Sequence, residues 1–416
     1  MSMPPVPKSN DVARRWDHTR KRRSILEGDW KGLLSAHVKK TVGAIRADGW
    51  GEADTSSNVL ASVSGQLATL YASMPVAKHP DAAGVAVLDA IEEGGLWGLM
   101  PRVQKDTLGL REYFMRVDVT ETGELTFRPV PPDMVDATGH HRDCDRLMLY
   151  REARERTNPK TGEVEWTWDV FDLRGSKPYF SVLSADEKTD VSELYGLSGL
   201  VGDAYRKLWR DAETGEAIIP SVVYHAETTG SLFDAYMWSE LLAGTLSVGT
   251  LWTFFAHVVR DASFPQRYGV GVKVPTIVDQ DSPRHMVVAD PSTVLILEPS
   301  EDAQGQPMIG QWQPGGDVES LSTSIQAYER KVASFAGIGE SDFARMSGDP
   351  RSGYALSISR ESARRAARRF EPAFSRSDKR MVALCASLLS AHLPCMRRRR
   401  KSARGRATYS RPMLPT

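Results

Sequence analysis

Cysteine is scarce in this sequence, which excludes two common ways of stabilising a small fold. The three cysteines, Cys144, Cys385 and Cys395, are too few and too far apart for a disulfide framework or a zinc module. Catalytic motifs are missing as well, because we find no phosphate-binding loop, no zinc-protease motif and no nucleophile elbow. The sequence therefore predicts no catalytic residue, no metal ligand and no cofactor, and an enzymatic function has little support.

One short run does contain side chains that bind metals. Residues 140–145 hold two histidines, two aspartates and a cysteine within six positions. Adjacent residues rarely converge on one ion, however. A loop between two strands explains this run better.

The chain also lacks net charge, because its 53 basic and 53 acidic side chains cancel. This balance argues against a protein that coats nucleic acid with its whole surface. The charge is unevenly distributed, with +5 on residues 1–23, −19 on residues 24–342 and +14 on residues 343–416. Such asymmetry favours a polyanionic partner, and a solvated helix face followed by a disordered basic tail is the alternative.

Long uncharged stretches are rare, and the clearest one covers residues 241–259. Its 19 residues are enough to cross a bilayer, but they include four hydroxyl side chains, a histidine and two glycines. A helix buried between protein neighbours therefore explains the stretch better than a single membrane span. The N-terminal segment is polar and basic without an apolar signal core, so we expect a soluble, cytoplasmic protein.

Hydrophobic periodicity predicts a mixed α+β chain. Helical spacing at residues 11–27 and 55–71 is followed by alternating patterns across residues 108–183. The strands of two hairpins are expected at residues 113–120, 124–130, 147–154 and 163–172. The first part of the chain is therefore predicted to be an antiparallel β region within a helical frame.

Further along the chain, two long helices are predicted on either side of a proline-rich segment. A helix is expected from residue 231 to about residue 262, and prolines seven to ten residues apart then separate short strands. Asp317 is placed to cap the next helix. The apolar positions of that helix alternate in steps of three and four, which favours packing against another helix. These positions are Val318, Leu321, Ile325, Tyr328, Val332 and Phe335.

The C-terminal part is rich in arginine. A polar loop at residues 340–353 leads into a long helix from about residue 354 to residue 393, which Pro372 should kink because proline removes a backbone donor. Helical spacing places Leu356, Ala363, Ala367, Phe370, Phe374, Met381, Leu384 and Leu388 on its buried side. The arginines expected on its wet side are Arg360, Arg364, Arg365, Arg368, Arg369, Arg376 and Arg380. Such a row can bind phosphates without reading the base sequence. The basic tail that follows is expected to be partly disordered.

The order of elements from residue 231 onward resembles that of the portal proteins of tailed double-stranded DNA bacteriophages. The matching stretches are SELLAGTLSVGTLWTFFAHVVRDASFPQRYGVG, PSTVLILEP, IGQWQPGGDVESLSTSIQAYERKVASFAGIGESDF and SGDPRSGYALSISRESARRAARRFEPAF. A short proline-led strand before Gln-Pro-Gly-Gly-Asp is typical of the family, as is Ser-Gly-x-Ala-Leu at a helix start. ILEGDW is similar to the family's aromatic-Glu-Gly-Asp stretch, with Leu26 in the aromatic position.

The resemblance implies an α+β portal fold with defined parts. These are an N-terminal wing at residues 1–230 containing the β region at 108–183, a stem helix at 231–263, a small α/β clip at 264–316, a second stem helix at 317–340, a tunnel loop at 341–353, a long kinked wing helix at 354–393, and a short basic crown or tail at 394–416.

The resemblance also implies where such a subunit would contact DNA and other proteins. The tunnel loop at the DNA channel would present Ser341, Asp342, Phe343, Arg345, Met346, Gly348, Arg351 and Gly353. The clip would dock terminase and adaptor through Arg267, Lys273, Asp279, Asp281, Arg284 and His285. The tail would lie near packaged DNA with Arg397, Arg398, Arg399, Arg400 and Lys401. Stem packing would use Leu321, Ile325, Tyr328 and Val332.

A portal subunit would form a ring, a dodecamer in the virion, at one vertex of the capsid. Its partners would be further copies of itself, the major capsid protein, terminase, a head–tail adaptor, and double-stranded DNA bound without sequence specificity. It would assemble in the host cytoplasm, reside in the virion and contact no membrane. Two other interpretations stay open, namely a DNA-binding structural protein that forms no ring and a single-span membrane protein.

Overall fold

The predicted α+β class is confirmed in the computed structural model, which combines helices with several small sheets. The structure describes residues 7, 9–43, 52–78, 81–120, 122–196, 208–211, 214–263, 266–270, 272–273, 298–299, 308–312, 317–338, 361–392 and 408–410. The chain divides into two units. Unit 1 comprises residues 1–30, 59–242 and 333–416, and unit 2 comprises residues 31–58 and 243–332.

Nine α-helices occur among the described residues. They are α1 (Asn10–Glu27), α2 (Lys31–Val42), α3 (Val59–Leu67), α4 (Ala82–Glu93), α5 (Leu96–Leu110), α6 (Ser239–Ser263), α7 (Val318–Ser334), α8 (Glu361–Arg368) and α9 (Glu371–His392). A short 3₁₀ helix spans Pro132–Met134.

The strands of unit 1 form two larger sheets and two short ribbons, and every pairing is antiparallel. The strands are β1 (Val76–Lys78), β2 (Glu112–Val119), β3 (Leu125–Val130), β4 (Val135–His140), β5 (Asp143–Thr157), β6 (Val164–Asp172), β7 (Tyr179–Ser184), β8 (Trp209–Arg210), β9 (Ala217–Ile218), β10 (Ser221–His225) and, at the C-terminal end, β15 (Thr408–Ser410). One larger sheet has the order β10-β2-β3 and the other β4-β5-β6-β7.

Both predicted hairpins are present in these sheets. β2 pairs with β3, and β5 pairs with β6 with Tyr150 opposite Phe171. β5 begins at Asp143 and is longer than the alternation predicted, because its first residues pair with the end of β4. Apolar side chains from both sheets then meet in one core, which includes Phe114, Val130, Tyr150, Phe171 and Val223.

Helix α9 supplies a second part of the core of unit 1. Phe370 precedes it, and Phe374, Met381 and Leu388 lie on its buried side, as the helical spacing predicted. Phe374 packs against the rings of Tyr71 and Tyr224. Both tyrosine hydroxyls donate to the buried carboxylate of Asp378, so α9 is held by polar as well as apolar contacts.

The predicted kink in the arginine-rich helix is a complete break between α8 and α9 at residues 369–370. Pro372 is the second residue of α9, a position where the missing backbone N–H has no helical partner to lose. The proline therefore fixes where the second helix starts. Residues 354–360 lie outside the described residues.

Two predicted helices have other bounds in the structure. The helix expected from residue 231 begins at Ser239, because residues 231–238 contain turns and Trp238 adopts a positive φ of 60° just before the helix. Helix α3 covers only Val59–Leu67 of the predicted 55–71. Local pattern did not reveal these two ends because tertiary contacts set them. Thr408–Ser410 of the basic tail pairs with β1, and the rest of the tail lies outside the described residues.

Unit 2 contains α2, most of α6 and most of α7. Four short strands lie between the two long helices. The strands are β11 (Gln266–Val270), β12 (Val272–Lys273), β13 (Glu298–Pro299) and β14 (Met308–Trp312). β11 pairs with β14, and β12 pairs with β13. The predicted small β segment between two helices is thus observed within the described residues.

Helix α7 begins as its cap predicted. The Asp317 carboxylate accepts a hydrogen bond from the backbone N–H of Glu319 at 3.1 Å. Gly337, just after the helix, has a φ of +80°, a conformation that other residues rarely adopt. The local sequence signal at Asp317 therefore sets the start of this helix, and Gly337 allows the chain to turn after it.

Glu112, the first residue of β2, is a fully buried carboxyl group in unit 1. Its Oε2 accepts the backbone N–H of Asp234 at 3.0 Å, whereas its Oε1 is buried without a hydrogen-bond partner. Burial outweighs this hydrogen bond and the nearby positive charges, and raises the pKa of Glu112 to about 7. The folded chain therefore retains a proton that the unfolded chain releases.

Replacing Phe374 with alanine is expected to lower the free energy of unfolding by about 3–5 kcal/mol, because a buried ring is lost and a cavity remains. The measurement is urea unfolding followed by circular dichroism. Tyr179→Ala is the control, since Tyr179 is half exposed and its loss is expected to cost less than about 1 kcal/mol. Equal effects of the two substitutions would contradict the assignment of Phe374 to the core.

Glu112→Gln is expected to change how stability depends on pH. The pKa of Glu112 is raised from 4.5 to about 7, so its contribution to stability is present below pH 4.5 and is lost as the pH rises to 7. Between pH 4.5 and 7.5 the native chain should lose on the order of 3 kcal/mol relative to the variant. Urea unfolding at a series of pH values measures this difference, and parallel curves for the two proteins would disprove it.

Candidate functional site

The helix pair of unit 2 is the first candidate site, and we define it as residues 243–263 of α6 with residues 318–332 of α7. The helices approach closely at Gly244, where an added Cβ would lie 2.6 Å from Val332 Cγ1. A glycine at this position is therefore required for the crossing. We call the apolar series of α7, which runs from Val318 to Phe335, its seam. Val332 of this seam fills the space over Gly244.

Polar side chains also join the two helices. Glu329 Oε1 on α7 accepts a hydrogen bond from Trp252 Nε1 on α6 at 2.6 Å, and the Ser57 hydroxyl donates to the same oxygen. The backbone N–H of Asp54 donates to Thr253 Oγ1 at 2.9 Å. Residues 54–57 thus form hydrogen bonds with both helices.

Sequence reasoning did not identify Glu329 or Trp252. The available signal was position, because Glu329 follows Ile325 by four residues and so lies on the same face of α7. An indole N–H and a carboxylate on facing helices can form one charge-assisted hydrogen bond. The apolar spacing alone did not reveal this pairing.

The predicted stem-packing residues are only partly used within one chain. Ile325 and Val332 are buried and Tyr328 is half-buried, but Leu321 is 39% exposed. Phe335, at the end of the same apolar series, is 53% exposed. The seam of α7 therefore has apolar side chains that nothing in the described chain covers fully.

Helix α6 has the same property over a longer stretch. Its segment Ser239–Arg260 is long and apolar enough to cross a membrane, with a mean hydropathy of 1.4, and 39% of this apolar window is buried. Leu251, Trp252, Phe255 and Val258 are half-buried. The same length and composition also occur in core helices of soluble proteins. The groups that contact α6 therefore decide whether it is a membrane span or a helix buried in protein.

The arginines of α9 form the second candidate site, and they are paired with carboxylates. Arg380 Nη2 lies 2.8 Å from Asp143 Oδ2, and Arg380 Nη1 lies 3.2 Å from Asp145 Oδ2. Arg376 contacts the same two carboxylates at 3.2 and 3.3 Å. Arg369, in the break before α9, pairs with Glu227 at 3.2 Å. The predicted wet side is confirmed for Arg369 and Arg376, which are exposed, whereas Arg380 is half-buried. All three arginines are nevertheless paired with carboxylates, which the helical spacing did not predict.

The run of metal-binding residue types at 140–145 covers the end of β4, a two-residue turn at 141–142 and the start of β5, so the predicted loop between strands is confirmed but is only two residues long. His225 Nε2 lies 3.0 Å from Asp145 Oδ1. Burial opposes ionisation of Asp145, but the bond to His225 and the charge of Arg380 outweigh it and lower its pKa to about 2. In the part of the chain that the structure describes, no three His, Cys, Asp or Glu side chains are grouped to hold a metal ion.

Most of the contact residues implied by the resemblance lie outside the described residues. This applies to all eight tunnel-loop residues, to the tail residues Arg397, Arg398, Arg399, Arg400 and Lys401, and to Asp279, Asp281, Arg284 and His285. Arg267 lies in β11 and Lys273 in β12, so both belong to the short strands between α6 and α7. The structure brings these two residues into the same small β segment.

Glu329→Ala is expected to lower the free energy of unfolding by about 1.5–3 kcal/mol, because hydrogen bonds to a carboxylate are lost and their donors stay partly buried. Gln326→Ala on the exposed face of α7 is the matched control. Thermal unfolding and urea unfolding both report the difference.

A double-mutant cycle with Trp252→Phe tests the bond itself. We expect the two substitutions to be non-additive, because each removes one partner of the same contact. Additive effects within about 0.3 kcal/mol would show that Trp252 and Glu329 do not interact.

Comparisons with known proteins do not identify a function for this chain. No protein-family model matches the chain, and no curated protein sequence matches it significantly. The functional argument therefore depends on the helix pair, on the paired arginines and on the resemblance of the sequence stretches described above.

Proposed function

We propose that the chain is a phage portal subunit, which assembles into a ring at one capsid vertex and conducts double-stranded DNA during packaging and ejection. The observation that carries the proposal is the incompletely covered helix pair. An uncharged helix and an apolar seam that a single chain leaves exposed are stable once neighbouring copies cover them, since large exposed apolar patches mark interaction surfaces.

The order of elements supports the same proposal. A long helix, a small β segment and a second long helix follow one another in unit 2, as the resemblance implies for stem, clip and stem. Arg267 and Lys273 of the β segment would then belong to the clip that meets terminase and later the adaptor. The capsid protein would be a further partner of the ring.

A membrane is a poorer partner for the helix pair than further copies of the chain. Helix α7 carries Glu319, Glu329, Arg330 and Lys331, and Glu329 is bonded to α6. Placing α6 in a bilayer would bring these charges toward the lipid, at about 2.5–3.5 kcal/mol for each charged side chain near the centre. Thr245, Thr250 and Thr253 are buried within the protein.

The charge distribution supports a conduit for DNA. Residues 24–342 carry a net charge of −19, and a negative wall repels phosphates so that DNA slides instead of binding. Arg376 and Arg380 are neutralised by Asp143 and Asp145. A DNA-binding protein without a ring would instead present these arginines to phosphate.

The test of the proposal is the size of the assembly. Mass photometry and negative-stain microscopy of the purified chain should show a closed ring of uniform size. The resemblance implies a ring of twelve copies in the virion. Leu321→Lys should shift the population toward monomers, because it places a charge in the exposed seam. Val164→Lys is the control, since Val164 is 60% exposed but lies on β6.

Only monomers and dimers from the native chain under assembly conditions would overturn the ring. Flotation with liposomes separates the membrane alternative, because a single-span protein would float and a ring would sediment. Retention on duplex DNA without ring formation would favour the non-ring DNA-binding protein.

A further inference from the structure

A cavity of about 230 Å³ in unit 1 is lined by residues of both larger sheets. Arg116 and Asp118 come from β2, Arg154 and Arg156 from β5, and Asp169 from β6. Residues two apart on a strand lie on the same face. β2 and β5 therefore each direct two of these charged side chains toward the cavity.

The pairing of these charges begins on β2 and β3. Arg116 and Arg128 are directly opposite each other across the two strands, and like charges in such positions repel. Asp118 Oδ1 accepts from Arg116 Nε at 3.1 Å, and Glu152 accepts from Arg128. Each of these two arginines thus has one carboxylate.

The remaining two arginines share a single carboxylate. Arg156 Nη2 donates to Asp169 Oδ1 at 2.7 Å, whereas Arg154 Nη1 lies 3.8 Å from Asp169 Oδ2. Asp169 is 2% exposed and Arg154 is the most accessible arginine of the group. The cavity lining therefore has three guanidinium groups against two carboxylates, since Arg128 and Glu152 lie outside it, and one positive charge of the lining is in excess. A further carboxylate, Glu165, lies opposite Arg156 across β5 and β6 but accepts hydrogen bonds from Asn158 and Tyr195 instead.

Hydrogen bonding shows the same excess. Two buried guanidinium nitrogens of the cavity lining have no hydrogen-bond partner within the chain, namely Nη1 of Arg116 and Nε of Arg156. Nε and Nη2 of Arg128 are also unpartnered, but Arg128 lies outside the lining. Among the described residues of this cluster, no buried carboxylate oxygen lacks a partner. Buried polar groups in native proteins are normally satisfied, so the cluster has too few acceptors for its donors.

Arg116 is also held in place by an aromatic ring. Its guanidinium carbon lies 4.4 Å from the centre of the Phe171 ring, and the residue is 6% exposed. A cation over an aromatic face is stabilised there. The donors of this residue are thus fixed before any ligand arrives.

We infer that this cavity binds a small oxyanion, a class that includes phosphate and carboxylate groups. Such a group supplies the missing negative charge and several acceptor oxygens, and guanidinium groups match it with paired hydrogen bonds. A volume of about 230 Å³ admits a free ion or a small metabolite and excludes a DNA duplex. The site is therefore separate from the channel proposed above, and it does not depend on ring formation.

Equilibrium dialysis with labelled inorganic phosphate, at constant ionic strength set by sodium chloride, tests the site. The native chain is expected to bind saturably, with one phosphate per chain. Arg154→Gln should weaken binding by about tenfold or more, because one charge-assisted hydrogen bond is lost. Arg154 is partly exposed, so this variant should fold, and circular dichroism checks that it does.

A second variant and a matched control complete the test. Thr126→Phe should block binding without changing charge, because Thr126 lines the cavity from an exposed position. Arg174→Gln should bind as the native chain does, since Arg174 pairs with Asp172 outside the cavity. Displacement of the label by acetate at lower concentrations than by unlabelled phosphate would identify a carboxylate as the preferred oxyanion.

Two results would overturn the inference. One is the absence of saturable phosphate and acetate binding at physiological ionic strength. The other is unchanged binding in Thr126→Phe together with unchanged binding in Arg154→Gln, or in Thr126→Phe alone if the arginine variant does not fold.

Discussion

Covering the apolar surface of helix α6 is the constraint on which the proposed function of this chain depends. The helix has no charged side chain between Glu240 and Arg260, and burying apolar area is worth about 25 cal/mol per Å². Helix α7 covers one side of it, with Val332 filling the space over Gly244. Because two of the six apolar positions of the α7 series, Leu321 and Phe335, are themselves exposed, the pair is best completed by further copies of the chain.

Polar contacts give the same helix pair its specificity. An apolar surface can pack in several registers, whereas a bond from Trp252 to Glu329 exists in only one. The cost of burying the Glu329 carboxylate is offset by two donors from different parts of unit 2. The same bond also makes a lipid environment unfavourable, since it fixes a carboxylate beside the apolar helix.

Charged side chains in unit 1 are paired even where they are partly exposed to solvent. Asp143 and Asp145 beside the β4–β5 turn neutralise Arg376 and Arg380 of α9, so these two arginines belong to a structural ion-pair network. In the arginine cavity, by contrast, the carboxylates are one too few. The difference between the two clusters separates a structural ion-pair network from a site with room for a ligand.

The α+β class, both hairpins, the cap of α7 and the buried side of α9 are predictable from the sequence, because they follow from local periodicity and from side chains adjacent in the chain. The start of α6 at Ser239, the pairing of Arg376 and Arg380, and the hydrogen bond from Trp252 to Glu329 depend on tertiary contacts. The partners in these contacts are tens to hundreds of residues apart, and no local pattern specifies distant pairs. The arginine cavity is the extreme case, since strands β2, β3, β5 and β6 have to assemble before the excess of donors exists.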